Sequence, residues 1–442
     1  MLWIELLVLL ACIVIGARVG GIGLGTVAGI GLFVFVFVFG LPPGGPPGVV
    51  IGMIIAVITA LSAMEAAGGL DYLVTVAERT MRRHPQYITF VAPIATYLLV
   101  FASGTTHVIY ALLPIMAEVA RKADIPPQRP LSISVVAGFQ GVRASPISAA
   151  TVAMLGALAA KGVSLPAMLA ITIPSTFIAV LIGAMSVAWR GPRLSEDVEY
   201  QRRLASGEIK PPETMSVRHG AALRNARGST WLFLTGITVV VLMGVFPGLR
   251  PYTVTGSEMV DGDQVSMGTA IMITMIAVAG LTMTLFHASP QTAVKGAVMR
   301  NGITAIISII GVSWLGSSFF EGNRALLVEG ISNLVQLHPW TFAVGLFVLS
   351  SMLFSAAAAV VLLAPIGVAL GMSASQLVSF YPAASGNFFL PTYGTLLAAV
   401  SFDQTGTTTI GKYLLNHSFM VPGLVTMVSS IAIALLLSAI LL

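Results

Sequence analysis

Twelve apolar stretches in succession constrain this chain more than any other feature. They cover residues 2–17, 21–40, 48–68, 87–120, 131–160, 165–189, 231–247, 266–286, 301–320, 340–370, 376–401 and 414–442. In lipid every backbone N–H and C=O must find its partner within the protein, so runs of this kind cross a bilayer as helices. Charge agrees with that reading. Only 9% of the 442 residues are Asp, Glu, Lys or Arg, where a soluble domain has about 25%. Mean hydropathy is +0.94. An ordinary soluble enzyme and a disordered chain are both excluded. The 45 glycines and 24 prolines, many of them inside apolar runs, point to interrupted membrane helices. The net charge of +5 sits on short loops, which argues against a nucleic-acid partner. The single cysteine, Cys12, supports neither a disulfide framework nor a thiolate metal site. The six histidines are scattered and form no HExxH motif.

Helix length sorts the twelve stretches. A simple span needs about 20 residues for a core of about 30 Å. Residues 87–120 are broken by Ser103-Gly104-Thr105-Thr106-His107, and residues 340–370 by Ser355-Ala356-Ala357-Ala358-Ala359. Each arm is then about 23–26 Å long, short of a crossing. Both stretches are expected to be re-entrant hairpins with tips near mid-membrane, beside about ten spans. The first run has Glu5 and no basic residue ahead of it, so it is expected to be a retained span rather than a signal peptide. With the N-terminus outside, 18 of the 22 Lys and Arg fall inside, including eight in the 190–227 loop. Lys161, Arg250 and Arg324 fall outside, and Arg143 falls within a span. The positive-inside rule selects this orientation. Both termini are therefore expected to be periplasmic and the 190–230 loop cytoplasmic.

That loop is the one long polar segment, and it divides the chain into halves 1–189 and 231–442 joined by a 190–230 linker. Landmarks recur in both halves. Ser103 is followed by Pro114, Pro146 and Pro174 after 11, 32 and 28 residues; Ser355 is followed by Pro365, Pro391 and Pro422 after 10, 26 and 31. Three spans, a hairpin and two spans make an odd number of crossings. The second half is then expected to be inverted relative to the first, an arrangement found in secondary transporters.

In such folds the substrate binds where discontinuous helices meet. Four polar breaks qualify. They are Ser103, Gly104, Thr105, Thr106 and His107; Ser145, Pro146 and Ser148; Ser355 and Ala356; and Asn387, Pro391, Thr392, Tyr393 and Thr395. Proline frees a carbonyl one turn back, and helix N-termini offer N–H donors to carboxylates. Taken singly, serines and threonines in spans more often join helices, and Gly21, Gly25 and Gly29 read as a packing face. Arg143 is the sharper signal, because a lone cation in a span is costly. It pairs a substrate carboxylate, or a structural acid, or snorkels. His107 is a carboxylate donor, a proton carrier or a structural histidine. Asp403, Lys412 and His417 are candidates for coupling or structure, with helix capping or an Asp403–Lys412 pair favoured. Glu65 and Asp71 are expected to set a helix end. A basic site in a positive-inside protein favours an organic anion. No cofactor or metal is expected, with H+ or Na+ as the candidate coupling ion.

These residues resemble the anaerobic C4-dicarboxylate transporters of bacteria, the Dcu A/B family. The likeness runs along the chain: Gly16-Ala17-Arg18-Val19-Gly20-Gly21, Ala67-Gly68-Gly69-Leu70-Asp71, Ser103 to His107, Ala144 to Ser148 and Ile173-Pro174-Ser175-Thr176. It is longest from Leu390-Pro391-Thr392-Tyr393 through Phe402-Asp403 and Thr405-Gly406-Thr407-Thr408 to Ile410-Gly411-Lys412-Tyr413 and Asn416-His417-Ser418-Phe419. Thr106, Gly394 and Thr409 depart from the family's usual residues. The resemblance implies an inner-membrane carrier of fumarate, succinate, malate and aspartate, working mainly by exchange or by cation-coupled uptake. It also implies an elevator-like movement, with a sensor kinase and further copies of the chain as candidate partners. A carrier of another organic anion or amino acid, and a channel, are the rival readings. An intramembrane hydrolase would have to use Ser103 and His107, which lack a third orienting group nearby.

Overall fold

The computed structural model describes residues 2–19, 22–46, 48–207, 209, 223–252, 264–353, 355–390, 393–411 and 416–442. These are helical almost throughout. The β structure among them is two isolated antiparallel bridges, Tyr252 with Gln264 and Ile410 with His417. The first half contains α1 (Leu2–Val19), α2 (Gly23–Phe33, continued by a π-helical stretch to Val38), α3 (Gly48–Ala66) and α4 (Gly69–Arg83). It continues with α5 (Ile88–Ser103), α6 (Ile109–Lys122), α7 (Gln128–Ala144), α8 (Ala149–Leu158) and α9 (Leu165–Val187). A short α10 (Val198–Ala205) lies in the linker. The second half contains α11 (Leu223–Val245), α12 (Met267–Leu285), α13 (Pro290–Lys295) and α14 (Ala297–Leu337). After these come α15 (Trp340–Leu353), α16 (Ala356–Ala369), α17 (Ala374–Phe380), a 3-10 stretch Tyr381–Phe388, α18 (Gly394–Phe402) and α19 (Met420–Leu441).

Both expected hairpins are pairs of helices of 14 or 16 residues meeting at a break. Both Pro-containing segments are broken, one between α7 and α8 and one between α17 and α18. Among the described residues seven helices are long and apolar enough to cross a membrane, or eight if the bent pair α3–α4 counts as one span. One of the seven, Pro85–Ser103, contains the first arm of the first hairpin, while α1 and α2 contribute shorter apolar helices.

Three sequence expectations change. Residues 69–83 lie between apolar runs yet form α4, bent by 73° from α3 at Gly68, whose φ is +81°. Ala77 and Met81 are buried, and Leu70 and Leu73 pack on the core, while Asp71 and Arg79 face out. This three-to-four spacing makes a helix that lies along a surface. Second, α14 is 41 residues long, so Arg324 lies in a helix rather than in an outer loop. Third, the broken 376–401 stretch departs from α-helix earlier than its polar residues suggest, at the 3-10 stretch Tyr381–Phe388.

Ions fasten α4 to the first hairpin. Arg82 Nε donates to Glu78 at 2.8 Å and its Nη2 to Glu118 at 2.9 Å, and Lys122 donates to Glu118 at 2.7 Å. The hydrogen bond that Arg82 donates to Glu118 raises its guanidinium above its ordinary pKa. Glu65 Oε2 accepts from Val298 N at 3.2 Å, tying the end of α3 to the start of α14.

Packing is reciprocal between the halves. The first hairpin's α5 lies on α7, and the second hairpin's α15 lies on the 3-10 stretch. The other arms cross over, α16 onto α8 and α6 onto α18. Likewise α2 packs on α14 and α12 on α3, while α9 and α19 pack together. Small residues permit the closest crossings. A Cβ on Gly25 would lie 2.1 Å from Ile307 O, and one on Gly311 would lie 2.0 Å from Gly25 O.

Candidate functional site

The first hairpin turns at Gly104, whose φ of +68° suits glycine. Gly104 N donates to Val100 O at 2.7 Å. Ser103 Oγ donates to Val100 O at 3.5 Å and Thr105 O at 3.3 Å, so this hydroxyl serves the turn itself. A Cβ on Gly104 would approach Ile147 within 3.1 Å, which places the tip against the first helix break. The hydroxyls of Thr106 and Tyr393 are 3.5 Å apart, so the tip also meets the second break. His107 has its backbone in a 3-10 turn; its side chain is outside the described residues. A cavity of 110 Å³ is lined by Ser103, Gly104 and Thr105 together with Ile147 and Ala149 and residues of α3 and α14.

Pro146 explains the first break. The residue before a proline is pushed out of the helical region, and Ser145 is extended with ψ 123°. The chain restarts at Ser148, whose Oγ accepts from Thr151 N at 3.1 Å and donates to Val142 O at 2.5 Å. Just before the break stands Arg143, 1% exposed. Its guanidinium donates to Phe139 O within α7 and to Ala384 O in the 3-10 stretch of the other half. Among the described residues no carboxylate pairs with it, and it does not snorkel. Two of the three sequence readings, the structural ion pair and the interfacial cation, are thus not what the fold uses. Neither of the two described cavities has Arg143 in its wall.

The second hairpin tip and the second break complete the set. Ser355 Oγ accepts from Ala358 N at 3.2 Å and caps α16, with Ala356 buried in its first turn. Asn387 and Thr395 are buried on either side of the break. Tyr393 packs edge-on to Phe139 at 5.4 Å, which brings the two breaks together. Pro391, Thr392 and Lys412 lie outside the described residues.

Residues not singled out from the sequence complete this centre. Gln140 Nε2 donates to Ser385 Oγ at 3.4 Å, and the hydroxyls of Tyr381 and Thr151 are 3.0 Å apart. Gln140 stands three residues before Arg143, a one-turn polar pair on an apolar helix, and that spacing was the available signal. Five buried polar atoms on the two broken segments have no protein partner among the described residues: Gln140 Oε1, Arg143 Nε, Ser145 Oγ, Asn387 Oδ1 and Thr395 Oγ1.

Asp403 and His417 stand apart from this cluster. The Asp403 carboxylate accepts from Thr405 N at 2.9 Å, Thr408 N at 2.6 Å and Thr407 Oγ1 at 2.9 Å, so it builds the turn after α18. That is a structural duty, met by a turn rather than by a helix N-cap. His417 Nε2 lies 3.1 Å from Phe389 O. The linker rests on the same turn, where Arg203 Nη1 donates to Thr405 O at 3.2 Å and Arg121 Nη1 to Gln404 at 3.1 Å.

Hairpin tips and broken helices meeting inside a bundle of apolar helices define a multi-pass membrane transporter. The profile of the anaerobic C4-dicarboxylate membrane transporters matches residues 1–442, and the chain belongs to that family. It is a transporter and not an enzyme. The C4-dicarboxylate transporter DcuA of Escherichia coli K12 is 39% identical over 426 residues, 96% of either chain. The DcuA of Wolinella succinogenes is 39% identical over 446 residues, the full length of both. The anaerobic C4-dicarboxylate transporter DcuB of Escherichia coli O6:H1 is 36% identical over 430 residues, covering 96% of this chain and 95% of that one. Two solved structures share the fold. Neisseria gonorrhoeae MtrF aligns with a TM-score of 0.56 at 15% identity, covering 92% of this chain and 84% of its own. The YdaH transporter of Alcanivorax borkumensis aligns at 0.51 and 17%, covering 90% and 84%.

Proposed function

We propose that the chain exchanges C4-dicarboxylates across the bacterial inner membrane, fumarate or aspartate inward against succinate outward. The carrying observation is the set of five unpartnered polar atoms on the two broken segments. A buried polar atom without a partner costs about 1–3 kcal/mol. Five such atoms in one place are therefore a cost that a polar ligand would offset. The first hairpin tip and the N-terminus of α8 supply the adjoining small cavity. Names of the relatives favour a C4-dicarboxylate as that ligand.

Arg143 acts in this scheme as a fixed positive charge. Carbonyls hold its guanidinium, and its field favours a dianion at the breaks. Moving that charge without substrate would be costly in the membrane interior, which makes exchange obligatory. The reciprocal packing supports two inverted repeats, 1–189 and 231–442, with the hairpins and broken helices moving against α1–α4 and α11–α14 as an elevator. The basic loops support periplasmic termini and a cytoplasmic linker. Purified protein in succinate-loaded liposomes should take up labelled fumarate by saturable counterflow. Uptake that proceeds equally without internal dicarboxylate would sink obligatory exchange. Repeating the assay with and without Na+ and a pH gradient identifies any coupling ion.

A further inference from the structure

Two cavities are stacked along one seam. The larger measures 890 Å³. It is lined by Met53 of α3, Ser317 and Phe320 of α14, Ala153 of α8, and Val361 and Pro365 of α16. The smaller cavity at the first hairpin tip begins one residue further along α3, at Ile54, and one turn earlier on α8, at Ala149. The two cavities thus adjoin neighbouring residues of α3 and α8.

Arg250 stands in the wall of the large cavity, as does Ser266. Its Nη1 donates to Val265 O at 3.0 Å, and its Nε is buried with no partner among the described residues. Glu321 is the other charged residue in that wall. The remainder is mainly apolar, so this guanidinium is where a carboxylate gains most. Walls of low dielectric focus such a field and raise the local concentration of the opposite charge.

We propose that Arg250 gathers the dicarboxylate from the outer solution into the large cavity. The inference rests on the exchange reading and on the outside placement of the 246–266 loop.

The test uses full-length protein in succinate-loaded liposomes. Initial rates of labelled fumarate uptake are measured against external concentration at several ionic strengths. Arg250→Ala should raise KM for fumarate presented on the Arg250 side about tenfold and flatten its salt dependence. KM from the opposite side should stay put, and Arg250→Lys should restore most of the loss. Lys161→Ala removes an exposed cation outside the cavity wall and should leave KM unchanged. Should Arg250→Ala fail to give a cooperative melt, Arg250→Gln carries the same comparison. Wild-type counterflow with an unaltered KM and salt slope in the variant overturns this inference alone. Absence of counterflow in the wild type overturns the exchange reading and this inference with it.

Discussion

Arg143 joins two parts of the chain that are 241 residues apart, through a carbonyl that no sequence pattern marks. A hydrogen bond to a charged group contributes about 1.5–3 kcal/mol. Arg143→Ala therefore removes two such bonds and leaves the carbonyls of Phe139 and Ala384 buried. The expected outcome is a lower melting temperature in detergent together with weaker succinate binding by calorimetry. Arg143→Lys should rescue neither fully, because one ammonium lacks the planar fork that serves both carbonyls. Unchanged affinity in a destabilised Arg143→Ala would leave the residue a structural staple only. The cation itself was legible in the sequence, being the one basic residue with no topological duty. Its partners were not, since backbone carbonyls carry no residue-type signal. Asp403 shows the same asymmetry. A structural role was readable from Asp403 and the threonines after it, but the particular turn depends on backbone N–H groups that any residue supplies.

Helices were legible where apolarity alone decides them, and less so where shape decides. Pro146 announced its own break, because proline acts on its neighbour locally. The amphipathic α4 was hidden, since arginines at its end read as a loop until Ala77 and Met81 are seen buried. The length of α14 was hidden as well, because polar residues past the apolar run remain helical. Glycine spacing was informative only in part. The four-residue series suggested one packing face, yet Gly25 touches α14 while Gly29 has nothing within 4 Å. Two alanine substitutions separate them. Gly25→Ala forces a methyl into Ile307 O and should cost about 1–3 kcal/mol as overpacking. Gly29→Ala meets open space and should stabilise the helix by about 0.5–1 kcal/mol. Thermal melts of the two variants in one detergent check the opposite signs. Equal shifts would mean that the α2–α14 crossing is looser than the backbone contact implies.

At the scale of the molecule, the seam between the hairpin half and the α3–α14 wall is the surface that must change if the site is to face both sides. The large cavity lies along that seam, with Ala369 of α16 and Ser317 of α14 both in its wall. The chain has one cysteine, Cys12, and it is buried, so single-cysteine reporters are simple to build on a Cys12→Ala background. Ala369→Cys and Ser317→Cys should react with a membrane-impermeant maleimide from the Arg250 side. An elevator carries α16 inward past α14, so conditions that favour the opposite conformation should protect both positions together. A rocking of two symmetric halves would instead close the mouth around both walls and expose the linker side, where α10 rests on the Asp403 turn. A third cysteine at Ser195, which donates to Asp124 at 2.6 Å on that side, distinguishes the two movements. Under an elevator the linker segment at Ser195 travels with the first hairpin and its labelling stays constant, whereas under rocking it rises as the maleimide rate at Ala369→Cys falls.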